Sequence, residues 1–161
     1  MGKEPINLTQ WSPKTGTYLP GVLYSCGRPG RAVFGKKRVP IPDEVIRDWI
    51  LGLPRSEKLH IVSLLGSKKD GFSEFQYYPF HSASEEVDKP TWQEWLVQRY
   101  GDRFIIHEFP TVDARGIQKE VLDLARRRIL ALLEGGSTVV VVDSAGSERT
   151  KMVCKEVGYE T

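Results

Sequence analysis

Near the C-terminus an apolar run opens into a loop of small residues that closes on an arginine: Ser137-Thr138-Val139-Val140-Val141-Val142-Asp143-Ser144-Ala145-Gly146-Ser147-Glu148-Arg149-Thr150. Four consecutive valines read as a strand buried on both faces, with no polar alternation to mark a solvent side. Small residues after it let backbone N–H groups point inward, and a helix starting near Arg149 adds the positive end of its dipole. Convergent amides, a helix start and a guanidinium able to clamp two oxygens are the parts of an oxyanion cup. Its candidate lining is Ser144, Ala145, Gly146, Ser147, Glu148 and Arg149.

The segment Val142-Asp143-Ser144-Ala145-Gly146-Ser147-Glu148-Arg149-Thr150 resembles the active-site loop of the protein-tyrosine and dual-specificity phosphatases, His-Cys-x5-Arg-Ser/Thr. The spacing to Arg149, the Ser-Ala-Gly run and the closing Thr150 match. Weaker similarities fall in the family's order: Leu23-Tyr-Ser-Cys-Gly-Arg-Pro29 is similar to its first strand and turn, and Ile61-Val-Ser-Leu-Leu65 to its second strand. Phe109-Pro-Thr-Val-Asp113 resembles the loop that carries the general acid, and a long helix and a strand join it to Asp143, as the family arranges them. The resemblance implies phosphate held by loop amides and Arg149, a general acid at Asp113, and a hydroxyl at Thr150 that assists the nucleophile's release. It implies no cofactor, and a phosphorylated protein or a small phosphate ester or anion as partner. The sequence departs where the chemistry is most demanding. Asp143 occupies the cysteine position and Val142 the histidine position. Glu148 adds a negative charge at the rim, and the stretch after Arg149 is short where the family has one or two further helices.

Three roles are open to Asp143. Its carboxylate can accept the inward N–H bonds and pair with Arg149, filling the cup with a built-in anion. It can replace a cysteine lost naturally or by design, which removes a soft, weakly hydrated nucleophile. It can form an aspartyl-phosphate, a route that generally calls for a magnesium site, and no carboxylate cluster stands nearby in the sequence. The expectation is a phosphatase-like protein, catalytically impaired. The alternative is a phosphomonoesterase of the tyrosine or dual-specificity type, with Asp143 substituted for cysteine or serving as an unusual nucleophile. A plain interaction scaffold follows if Asp143 bonds its own loop. Cys154, five positions past Arg149, is expected to face the core and is no shifted nucleophile.

Other motifs fall away. A lipase elbow needs Gly-x-Ser-x-Gly and a later histidine, and no histidine follows Ser144. The nucleotide-binding Gly-x4-Gly-Lys-Ser/Thr is absent. His60, His81 and His107 have no metal-ligand spacing, so ordinary polar or strand-edge histidines are expected. Asp113 equally suits a helix cap.

A net charge of +2 gives no bulk attraction to nucleic acid or membrane. No stretch approaches the roughly 18 apolar residues of a membrane span, and the start Met-Gly-Lys-Glu-Pro-Ile has no apolar signal region. Two cysteines make no disulfide framework, so a cytoplasmic location is expected.

The elements that must position the cup follow from periodicity. Residues 1–20 read as an extended arm held by Trp11 and Tyr18, and 21–161 as a single phosphatase-like domain. Strands are expected over 21–26, 59–65, 72–80, 104–109 and 138–142. Helices are expected from Pro42 to Leu53, from the Thr91/Glu94 capping box to Tyr100, over 117–134 with an apolar side of Val121, Leu124, Ala125, Ile129, Leu132 and Leu133, and from Arg149 to about Glu156. This alternation predicts an α/β fold, a three-layer sandwich with a central, mostly parallel sheet flanked by helices.

Overall fold

The computed structural model describes residues 5, 7–14, 16, 18–28, 48, 52–53, 59–65, 76–77, 81–82, 97–98, 101–111, 117–143 and 146–161. They form an α/β fold around a six-stranded sheet. The strands are β1 (Thr9–Pro13), β2 (Val22–Gly27), β3 (Leu59–Ser63), β6 (Phe104–Glu108), β7 (Thr138–Asp143) and β8 (Tyr159–Glu160), in the order β6-β3-β7-β2-β1-β8. A separate antiparallel pair joins β4 (Gln76–Tyr77) to β5 (His81–Ser82); β4 lies inside the strand expected over 72–80, whose other residues lie outside the described ones.

β7 lies between β3 and β2 and runs parallel to both, with Ser63 opposite Val142 and Gly27 opposite Asp143. β3 and β6 are also parallel. The other edge is antiparallel: β1 pairs with β2 on one side and β8 on the other. The sheet is therefore mixed rather than mostly parallel. The arm is the reason, since residues 9–13 are woven into the sheet as a strand instead of lying across its surface. Trp11 anchors that strand, buried, with Nε1 donating to Ser25 Oγ at 2.8 Å. Tyr18 does not share the task; it is 83% exposed.

The valine run builds both faces of the core. Val140 and Val142 pack with Cys26, Leu53, Leu59, Ile61, Leu65 and Phe104 on one side. Val139 and Val141 pack on the other with Leu23, Val62 and Leu64, under helices α1 (Lys119–Glu134) and α2 (Glu148–Glu156). Ala125, Ile129 and Leu133 of α1, spaced four apart, are buried in that face. Leu124, assigned from its periodicity to the same side, is 55% exposed; it sits one residue, about 100°, off the stripe. Both described helices cover one face. The helices expected at 42–53 and 91–100 fall mostly outside the described residues, where Asp48, Val97 and Gln98 are helical.

α1 ends as its two glycines dictate. Gly136 adopts φ +84°, and Gly135, Gly136 and Ser137 donate to the carbonyls of Ala131, Leu133 and Leu132 at 3.0–3.1 Å. β7 starts at once, so its C-terminal end and Asp143 are placed by the register with β2 and β3. Among the described residues no helix is long and apolar enough to cross a membrane.

Candidate functional site

The C-terminal ends of β2, β3 and β7 form one edge. Arg28 N donates to Asp143 O at 2.9 Å and Leu64 N to Val142 O at 2.8 Å, so the chain leaving each neighbouring strand clamps the end of β7. Asp143 is 2% exposed. Its Oδ1 accepts from the Gly146 amide, and its Oδ2 from the Thr150 amide at 3.0 Å.

Those two bonds have a clear physical origin. The first amides of a helix lack intrahelical acceptors. At the start of α2, Ser147 stands at the N-cap but makes no side-chain cap bond. Thr150 is the third helical residue, and Asp143 supplies the oxygen it needs from the end of the strand. A carboxylate there also faces the positive end of the helix dipole. Gly146 makes the turn possible. It adopts φ +73°, and a Cβ on it would lie 2.4 Å from Gly27 N and 2.5 Å from the Cys26 carbonyl carbon. The loop is pressed against the end of β2 so closely that no side chain fits.

Arg149 is 5% exposed. Its Nη1 donates to Thr111 Oγ1 at 2.9 Å and to Leu64 O at 3.2 Å. Thr111, itself buried, donates to Leu64 O through both its amide (3.2 Å) and its hydroxyl. Among the described residues, the carboxylate of Asp143 is held by amides, and the guanidinium of Arg149 by a carbonyl and a hydroxyl. Thr150 is fully buried, and its Oγ1 finds no hydrogen-bond partner among the described residues. Ser147 is half-buried and Glu148 exposed, so the charge of Glu148 is turned to solvent. Ser144, Ala145 and Asp113 lie outside the described residues.

The two thiols are both buried and free. Burial pushes each well above the ordinary thiol range, and the charge of Asp143 adds to the effect at both. Cys154 faces the protein core from α2, as expected, and neither thiol has the depressed pKa of a nucleophile.

Two features escaped the sequence. Thr111 gave no signal beyond standing two positions before Asp113. His60 and His107 meet across β3 and β6, Nδ1 to Nε2 at 3.0 Å, with their rings stacked 5.3 Å apart. Arg128 of α1 reaches His107 Nδ1 at 2.7 Å and lies 5.8 Å over the Phe109 ring. Among the described residues no group of three or more His, Cys, Asp or Glu is placed to hold a metal. No protein-family model, curated protein or solved structure matches the chain.

Proposed function

We propose that the chain is a phosphatase-like protein in which residues 143–149 form an oxyanion cup and Asp143 is the anion that occupies it. The supporting observation is the pair of bonds from Gly146 N and Thr150 N to the two oxygens of Asp143. Amides at the start of a helix whose first turn carries a buried arginine suit a tetrahedral oxyanion. Here a side chain fills part of it. An external phosphate oxygen about 4 Å from the ionised carboxylate would meet a repulsion of about 4 kcal/mol at an effective dielectric of about 20, close to a thousandfold in affinity. Each oxygen of the carboxylate already accepts an amide bond, which lowers its reactivity as a nucleophile toward phosphorus. The reading is therefore a catalytically impaired protein of the cysteine-phosphatase type that acts as an interaction scaffold with its cup already occupied; a phosphorylated protein or a small phosphate ester becomes a partner only where the anion displaces Asp143 from the loop amides. On this reading the segment contributing Leu53 covers the second face of the sheet and completes a three-layer sandwich.

The test compares the parent, Asp143→Ser and Asp143→Cys for turnover of an aryl phosphate and for melting temperature with and without tungstate. The parent should be inert and nearly indifferent to tungstate. Asp143→Ser should bind tungstate at least a hundredfold more tightly than the parent, and Asp143→Cys should hydrolyse the ester. If neither variant responds to tungstate or ester while both remain folded, the cup reading is wrong. Turnover by the parent that is lost in Asp143→Ser would establish the nucleophile reading instead.

A further inference from the structure

We infer that Thr111 is a positioning residue for Arg149 and sets the affinity of the cup for a tetrahedral anion; this rests on the reading of 143–149 as an oxyanion site. An arginine side chain is long and rotamer-rich, so its use as an anion clamp depends on being held before the anion arrives. Among the described residues, the hold on Nη1 comes from Thr111 and Leu64, outside the loop.

The donor and acceptor roles are fixed by chemistry. A guanidinium only donates, so Thr111 Oγ1 must accept from Arg149 Nη1 at 2.9 Å. The hydroxyl's single proton then goes to Leu64 O. Leu64 O also receives Arg149 Nη1 and the Thr111 amide, both at 3.2 Å. One hydroxyl thus passes a hydrogen bond from the arginine to the carbonyl that leaves β3. Only a side chain that both donates and accepts can stand there. Serine meets that requirement and valine, of almost the same shape as threonine, does not.

Thr111 is itself held by an extension of the sheet. Beyond the paired residues of β3 and β6, Phe109 N donates to Ser63 O at 2.9 Å, and Thr111 N to Leu64 O, one residue short of the acceptor a continued ladder would give. The hydroxyl is therefore referenced to the parallel sheet that also places Asp143, although α1 and the rest of β7 lie between the two in sequence. The arginine and the loop amides are registered to one another through that sheet.

The experiment measures tungstate affinity by titration calorimetry in the full chain carrying Asp143→Ser, alone and combined with Thr111→Val, Thr111→Ser or Arg149→Lys. Thr111→Val should weaken binding about tenfold, in line with loss of one hydrogen bond to a charged group. Thr111→Ser should restore it to within about twofold, and Arg149→Lys should lose most of it. Thr111→Val binding as tightly as its parent, with Arg149→Lys impaired, overturns the role of Thr111 alone. Arg149→Lys binding unchanged, or no binding in Asp143→Ser, overturns the cup and this inference with it. Should Thr111→Val fail to fold, the guanidinium NMR signals of Arg149 in the unmutated chain decide: slow rotation and protected protons are expected, and free rotation refutes the anchor.

Discussion

His107 makes the protein's stability fall in acid over a defined range. Arg128 can only donate, so His107 Nδ1 accepts its bond at 2.7 Å, and the ring proton must sit on Nε2, directed at His60 Nδ1 3.0 Å away. Protonating Nδ1 breaks the bond to Arg128 and sets two cations side by side. Burial first, then Arg128, then His60 push the pKa of His107 down from 6.5 to about 4. The groups facing it are His60 from β3, Arg128 from α1 and the Phe109 ring beneath that guanidinium. Because the folded value lies below the unfolded one, the unfolded chain takes up the proton first as pH falls. The contribution is complete above about pH 6.5, declines through the interval, and is gone below about pH 4. The gap of about 2.5 pH units gives a ceiling of about 3.4 kcal/mol at 1.36 kcal/mol per unit. The ring is only partly buried and Arg128 is exposed, so screening reduces this to about 1–2 kcal/mol. Urea unfolding at pH 7.5 and 4.5, on the parent and on His107→Gln, isolates it from the carboxylates that titrate in the same range. On acidification the parent should lose more stability than the variant by that screened amount. Equal losses, or an NMR titration placing His107 at or above 6.5, would refute the argument.

Gly146→Ala and Gly136→Ala form a second test. Both glycines have positive φ, but only Gly146 would drive a Cβ into the backbone of β2, whereas Gly136 is open; the first should cost about 2–5 kcal/mol and the second about 1–2 kcal/mol in urea unfolding, and equal costs would mean the loop does not press on β2. Cys26 and Cys154, buried and with pKa values raised by burial and by Asp143, should resist an aromatic disulfide reagent at pH 8 until the chain is unfolded; labelling of either thiol within minutes in the native protein would contradict their placement.

What the sequence disclosed was local, and what it concealed was register. Four valines announce a strand that needs two neighbours and two covered faces, and β7 has both. The stripe of α1 and its glycine stop were equally plain, apart from Leu124. β1 was hidden because Thr-Gln-Trp-Ser-Pro carries one apolar residue, too little to signal a strand; pairing on both edges and the burial of Trp11 make it one. Two of the three histidines looked unrelated because 47 residues separate them, and only the parallel register of β3 and β6 sets them diagonally on one face. Thr111 stayed unseen for the same reason: a buried arginine needs acceptors, but which ones depends on where β3 and β6 end. In the proposed cup, the resemblance singled out Asp143 and left its partners open among loop amides, Arg149 and an incoming anion.

The geometry turns that choice into a statement about the fold. Gly146 N and Thr150 N are buried donors, and leaving either without an acceptor costs about 1–3 kcal/mol. A carboxylate has two oxygens and serves both at once, one three residues and one seven residues along the chain. A smaller side chain at 143 can reach fewer of them, so the start of α2 would then depend on an oxygen from outside. The residue proposed to close the cup is also the acceptor that holds the helix to the sheet, and on that proposal removing it exchanges intrinsic stability for anion-dependent stability. An anion at a hundred times its dissociation constant returns about 2.7 kcal/mol, comparable to the donors' combined cost. That equivalence is why Asp143→Ser should melt lower than the parent in plain buffer and recover most of the difference with tungstate, while the parent, already carrying its own anion, gains little.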